Sequence, residues 1–326
     1  MLLKYYERTK RDQDLGLINQ PELGPGGAVQ QFIEGLDTVD DFVEFNGQLP
    51  NIVENFTPTG KEFAITNMTS GLEGLQFSKR DQDGLHMYVF DTAATVIRQY
   101  DLPTPYDLDT AVNTSHTTVS FPSQLLDFDW SNDGKIIYRL FHPGLGESVI
   151  SGVTYVTSPW EFTGAPNIGP FFDFQITDLV LSFTFSDDGL RLFILILGSP
   201  FKIRQYNLTI PFDVHMSSMS YSGIEKSLPV SFVNSRNIRI SKNGRFIFVN
   251  DITMATVSRF ELTTPNDLSS FNNTLLGALS HTMEADSVTG IDLKQDDTRL
   301  YVADSQNTNI VEYEAPTIQG AVEVIQ

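Results

Sequence analysis

The chain has no cysteine among its 326 residues. That excludes a disulfide framework, a thiolate metal site and a cysteine nucleophile. Basic residues are scarce: 21 Lys and Arg stand against 41 Asp and Glu, a formal net charge of −20. So acidic a protein repels phosphate backbones, and nucleic acid is not an expected partner. The excess charge serves solubility, and it also suits a salty medium or a basic partner. Long apolar runs are missing too. The most apolar stretch, Leu192 to Leu197, has the length of a strand buried on both faces, so no membrane insertion is expected. The first seventeen residues carry Lys4, Arg8, Lys10 and Arg11 but no apolar core of a secretory signal. No His-Glu-x-x-His, Gly-x-Ser-x-Gly or P-loop pattern occurs. The five histidines, His86, His116, His142, His215 and His281, form no local pair, so a metal would need ligands gathered from distant segments. No metal or other cofactor is expected.

What is present points to one all-β fold. The composition is 40% hydrophobic and 11% aromatic, and only 19% of residues are charged, which argues against disorder. Gly and Pro are spread along the whole chain, as in a protein of many turns.

Five segments repeat one pattern at intervals of about 53 residues. The first reads Gly74-Leu-Gln-Phe-Ser78, a polar turn ending Asp83-Gly84, His86-Met-Tyr-Val-Phe-Asp91, Val96-Ile-Arg-Gln-Tyr-Asp-Leu102 and Thr104-Pro105-Tyr-Asp-Leu108. Later copies turn at Asp133-Gly134, Asp188-Gly189, Asn243-Gly244 and Asp296-Asp297. Pro105, Pro159, Pro211 and Pro265 are 54, 52 and 54 residues apart, and the fifth copy loses the Pro motif. Asp-Gly and Asn-Gly accept positive φ and suit tight hairpins. The second strand of each unit is the most apolar and is expected in a buried layer. A Thr-Pro stops the third strand. A weaker fourth strand is expected at Thr117 to Phe121 and at Pro229 to Val233.

Four antiparallel strands per unit make a β-propeller blade, and an open stack of blades is the rival use of the pattern. Glu62 to Thr66 resembles a fourth strand lacking its first three. If it completes the last unit, five blades close into a ring with no free edge. In the alternative, Ala315 to Gln326 supplies the last strand and Asp41 to Thr66 begins a sixth blade. Residues 1–55 do not follow the repeat, which leaves 56–326 for the propeller. The first segment is expected to be a tail or a docking arm, with Lys4, Tyr5, Tyr6, Arg8, Lys10 and Arg11 as candidate docking residues.

The acidic turns, such as Asp187-Asp188-Gly189, lack the twelve-residue loop and closing Glu of an EF-hand and read as hairpin chemistry. Many carboxylates exist, but no pattern singles out a catalytic pair of the glycosidase kind.

The string Phe77 to Ala111, with its Gln-Tyr-Asp-Leu-x-Thr-Pro run, resembles propeller repeats of tailed-phage virion proteins and of environmental, often marine, bacterial and viral sequences. Weaker copies extend the resemblance over about 260 residues. It implies a non-enzymatic tail, fibre or capsid-associated protein, assembled in a host cytoplasm and present in several copies per virion. Its implied partners are other virion proteins and a host-surface glycan. The alternatives are a glycan-binding lectin and a glycan hydrolase or lactonase using channel carboxylates.

Overall fold

The computed structural model describes residues 56–315, except 67, 69–70, 80–83, 121–124, 145–146, 155–158, 161–166, 281–286 and 295. The six candidate docking residues therefore lie outside the described residues.

Among the described residues twenty strands build five four-stranded antiparallel sheets. The chain enters with β1 (Thr57–Ala64). The first blade follows as β2 (Leu72–Phe77), β3 (His86–Asp91), β4 (Val96–Asp101) and β5 (Val112–Ser120). The second is β6 (Leu125–Trp130), β7 (Ile136–Gly144), β8 (Glu147–Thr154) and β9 (Asn167–Ile176). The third is β10 (Val180–Phe185), β11 (Arg191–Ile196), β12 (Lys202–Leu208) and β13 (Met219–Ser227). The fourth is β14 (Ser235–Ile240), β15 (Phe246–Asp251), β16 (Thr256–Leu262) and β17 (Phe271–Ser280). The fifth takes β18 (Val288–Leu293), β19 (Arg299–Asp304) and β20 (Asn309–Glu314), and β1 completes it by pairing antiparallel with β20, Thr57 opposite Glu314 and Ala64 opposite Asn309. The chain is a five-bladed propeller, closed as the register of Glu62 to Thr66 anticipates. The sixth-blade alternative fails because β1 occupies the edge of β20 that a strand from Ala315 to Gln326 would need.

One expectation requires correction. Pro229 to Val233 is not a fourth strand; Met219–Ser227 is, and Pro229 to Val233 connects it to the next blade. The fourth strand is the outer edge of its sheet, so its residues are largely half-buried or exposed and carry little apolar alternation.

Among the described residues no blade has a core of its own. The apolar side chains form five clusters, one at each seam. Tyr88, Phe90 and Ile97 meet Leu125, Phe128 and Trp130 between blades one and two, and Leu72, Leu75 and Met87 meet Tyr301, Ala303 and Ile310 between blades one and five. Burial of these faces requires the neighbours, so the sheets are stable only as a ring.

The hairpin between first and second strands shows why the turn residues recur. In the second blade Ser131 Oγ donates to Asp133 Oδ1 at 2.7 Å and accepts from Ile136 N at 3.0 Å, while Lys135 N donates to the same carboxylate at 3.2 Å. Gly134 has φ of 67°, and a Cβ there would lie 2.5 Å from the Trp160 ring. Trp160 N donates to Gly134 O at 3.0 Å, so the Pro-motif loop folds back over the hairpin. Tyr106 on Gly84, Phe212 on Gly189 and Asn266 on Gly244 repeat the arrangement. Glycine is needed both for its left-handed φ and for the side chain stacked upon it.

The same loops fasten neighbouring blades. Tyr88 in the first blade donates its hydroxyl to Trp160 O in the second, Tyr138 donates to Phe212 O in the third, and Tyr301 in the fifth donates to Tyr106 O in the first at 2.7 Å.

Candidate functional site at the channel mouth

Each innermost strand is the edge of its sheet and has backbone N–H groups with no partner strand. In register these strands read Leu72–Phe77, Leu125–Trp130, Val180–Phe185, Ser235–Ile240 and Val288–Leu293. The fourth residue of each is apolar and packs in a seam. The third residues are Gly74, Asp127, Ser182, Asn237 and Gly290, and the fifth are Gln76, Asp129, Thr184, Arg239 and Asp292. The cross-blade bonds of these two sets show that they surround the axis.

Several of these side chains serve the edge N–H groups of the following blade. Asp127 Oδ2 accepts from Phe183 N at 3.2 Å, and Asp129 Oδ2 from Phe185 N at 3.3 Å. Ser182 Oγ accepts from Ile238 N at 2.9 Å, and Asp292 Oδ2 from Phe77 N at 2.6 Å. Polar side chains face the channel and satisfy the edge N–H groups buried there.

Arg239 joins four blades. Its Nη1 and Nη2 donate to Asp127 Oδ2 and Oδ1 at 3.1 and 3.0 Å, a bidentate pair. Nη1 also donates to Phe183 O at 3.2 Å and Nη2 to Leu75 O at 3.3 Å. With the Gln76 amide oriented so that its oxygen faces the guanidinium, Nη2 and Nε both donate to it at 2.8 Å. Burial disfavours the charge of Arg239, but Asp127, with Asp129 and Asp292 nearby, outweighs it and raises the pKa.

Above this network the channel opens into a depression rimmed by Lys79, Asn132, Asp187, Lys242, Lys294 and Asp297, with Arg239 and Asp292 at its floor. Lys79 Nζ donates to the fully buried Asp129 at 3.0 Å. Asn132 Nδ2 donates to Asp187 O, and to Asp187 Oδ1 at 3.2 Å. Burial pushes Asp292 up to about 6 against the pull of Lys79 and Arg239. Burial, with Asp296 beside it, pushes Asp297 up to about 7 against the Lys242 N–H and Arg259.

The three histidines whose side chains are described do not converge: His86 Nδ1 meets Asp101 at 2.9 Å, His142 Nε2 meets Val180 O at 2.9 Å, and His215 Nδ1 meets Ser217 at 2.7 Å. Among the described residues no group of three His, Asp or Glu side chains could hold a metal. The acidic turn at Asp188 is occupied by its own hairpin, accepting from Ser186 Oγ at 2.6 Å and Leu190 N at 2.9 Å. No described helix is long and apolar enough to cross a membrane. The depression itself was not singled out by sequence reasoning. Aligning the five inner strands would have shown the polar third and fifth positions.

Fold and channel together define the class: a five-bladed β-propeller with a polar, cross-braced channel. No family model matches the chain, and no curated protein matches its sequence. Among solved structures, the β-propeller domain of Cps50 (Swd1) from Myceliophteria thermophila is similar at 9% identity and a TM-score of 0.45, covering 79% of this chain and 100% of that one. The PQQ-bound aldose sugar dehydrogenase from Streptomyces coelicolor is similar at 13% identity and a TM-score of 0.44, covering 79% and 99%. A functionally unknown protein from Desulfotomaculum acetoxidans is similar at 15% identity and a TM-score of 0.40, covering 73% of this chain and 64% of that one. The chain thus spans less than two thirds of that last protein's length.

Proposed function

We propose that this chain is a non-enzymatic structural or attachment protein of a tailed-phage virion, which presents its propeller to neighbouring virion proteins or to a cell-surface glycan. The observation that carries the non-enzymatic part is the use of the channel carboxylates. Asp127 is held by Arg239, Ser182 and Phe183 N, and Asp129 by Lys79, Trp130 N and Phe185 N. Groups so committed join blades together and are poor acids, bases or nucleophiles. The virion part rests on the resemblance of Phe77 to Ala111 to phage propeller repeats. In this reading residues 1–55 anchor the protein, with Lys4, Tyr5, Tyr6, Arg8, Lys10 and Arg11 as docking contacts.

Mass spectrometry of purified particles tests the virion assignment, since the protein must be present in several copies. Deletion of residues 1–20 is expected to abolish incorporation while leaving the propeller folded. Normal incorporation of the truncated chain would refute the anchor.

A second reading, hydrolysis of a glycan or lactone in the channel, is favoured by one observation: Asp292 and Asp297 stand at the depression with raised pKa values. It requires turnover on a panel of glycans and lactones that is lost in Asp297→Asn. No turnover on that panel would remove it.

A further inference from the structure

The fifth blade breaks the repeat at three places, and two of them line one depression. Its first strand is followed by Lys294, where the other blades have Ser78, Ser131, Ser186 and Ser241. Those serine hydroxyls are used inside their hairpins, as in the bond from Phe246 N to Ser241 Oγ at 2.9 Å. Lys294 N donates to Arg299 O at 3.0 Å, and its side chain, in place of a hydroxyl, brings an ammonium to the rim. At the hairpin glycine position stands Asp297, with φ of 56°. A side chain there carries a backbone penalty of roughly 1 kcal/mol that glycine would avoid. The sequence after this hairpin lacks the Pro motif of the other four units. Departures from a repeat that carry a cost and gather at one cavity mark a site rather than a scaffold.

Charge indicates what the site takes. Lys294, Lys242 and Lys79 come from three consecutive blades of the ring, the fifth, fourth and first, in a chain of net charge −20. Lys79 is bonded to Asp129 and Lys294 to Asp296 at 2.8 Å, but an ammonium has three donors and each keeps others. The nearby carboxylates are engaged: Asp187 by Asn132, Asp292 by Phe77 N and Asp297 by the Lys242 N–H. Asn132 and Thr184, neutral polar side chains of the second and third blades, line the same mouth.

We propose that this mouth binds one acidic sugar residue, its carboxylate or phosphate held by Lys79, Lys242 and Lys294 and its hydroxyls by these neutral groups. The proposal deepens the attachment reading, on which the choice of a sugar rests. It predicts that a glycan is recognised by its charge and only weakly by its neutral portion.

Titration of the full-length protein by ligand-observed NMR and calorimetry tests it, with glucuronate, glucose 6-phosphate, glucose and inorganic phosphate as probes. Lys294→Ser restores the residue of the other four blades and is expected to fold normally; Lys242→Gln is the second variant. The two acidic sugars should bind at least tenfold more tightly than glucose. Each variant should weaken the acidic sugars by about 5–10-fold, as loss of one charge-assisted contact does, and leave glucose unchanged. Equal binding of glucose and glucuronate, or no loss in either variant, would overturn the site. Inorganic phosphate binding as tightly as glucose 6-phosphate would overturn the sugar assignment. These measurements need no particle, so their failure leaves the incorporation experiment standing. Failure of incorporation does not touch them.

Discussion

Gly290 to Ala should open the ring at its last seam. An ideal Cβ on Gly290 would lie 2.8 Å from the carbonyl carbon of Gly74, 2.9 Å from Leu75 N and 3.1 Å from Gly74 Cα. All three are backbone atoms of the first blade, so no rotamer change relieves the clash. The innermost strands would have to part by roughly half an ångström to restore ordinary contact. Gly290 has no positive φ, so alanine brings no backbone penalty, and it even stabilises slightly by restricting the unfolded chain. Overpacking of this kind costs about 1–3 kcal/mol, and the net loss is expected near 1–2 kcal/mol. Two bonds join the innermost strands across the same seam: Thr289 Oγ1 donates to Leu72 O, and Phe77 N donates to Asp292 at 2.6 Å. Urea unfolding should show a lowered midpoint, and the Phe77 amide should exchange faster. Gly223 to Ala is the control. It has φ of 79° and nothing within 4 Å of the added Cβ, so it carries strain without a clash. An unchanged midpoint and unchanged Phe77 exchange in Gly290→Ala would refute the claim that close approach of the blades demands glycine here.

Tyr301→Phe, which removes the buried bond to Tyr106 O, should cost about 1–2 kcal/mol in urea unfolding. Tyr100→Phe should be neutral or slightly stabilising, because its buried hydroxyl has no partner among the described residues. Arg239→Met leaves Asp127 buried without its bidentate partner and should cost about 3–5 kcal/mol by the same assay, whereas a double variant with Asp127→Leu should recover part of the loss. Asp292 has its pKa raised by burial to about 6, so the folded protein holds that proton more tightly than the unfolded chain. The stabilising contribution is full below the ordinary value of 3.8 and is lost as pH rises through about 6. Its size is of the order of 2–3 kcal/mol. Unfolding midpoints of the protein and Asp292→Asn between pH 4 and 8 check this, and identical slopes would contradict it.

The blade count was legible because two physical constraints recur once per blade. Gly84, Gly134, Gly189 and Gly244 must have positive φ beneath a stacked loop, and Pro105, Pro159, Pro211 and Pro265 hold those loops. The closing strand was also legible from Glu62 to Thr66, although it begins at Thr57 and ends at Ala64. Outer strands were harder. Met219–Ser227 has solvent along one side and therefore no apolar rhythm, and the apolar residues of Pro229 to Val233 imitated one. The channel residues were hidden for another reason. Asp127, Arg239 and Gln76 are far apart in sequence, and their partnership follows only once five strands are laid in common register. The loss of the Pro motif in the fifth copy was visible, but the aspartate at the glycine position of its turn, Asp297, was not given a meaning. In three dimensions Asp297 keeps the positive φ of the glycines it replaces and lines the channel mouth beside Lys294.

The seam between β1 and β20 has a mechanical consequence. The pairing of Thr57 with Glu314 places the entrance to the propeller beside its exit. Tension applied to both flanks at once would pull on that end of the pair and peel its hydrogen bonds away one after another, instead of shearing all of them together. A load borne through one flank alone would not strain the clasp. A protein tethered by a single end could therefore be tugged hard without its ring springing open, whereas one strung between two anchors would unbuckle at its fifth blade first.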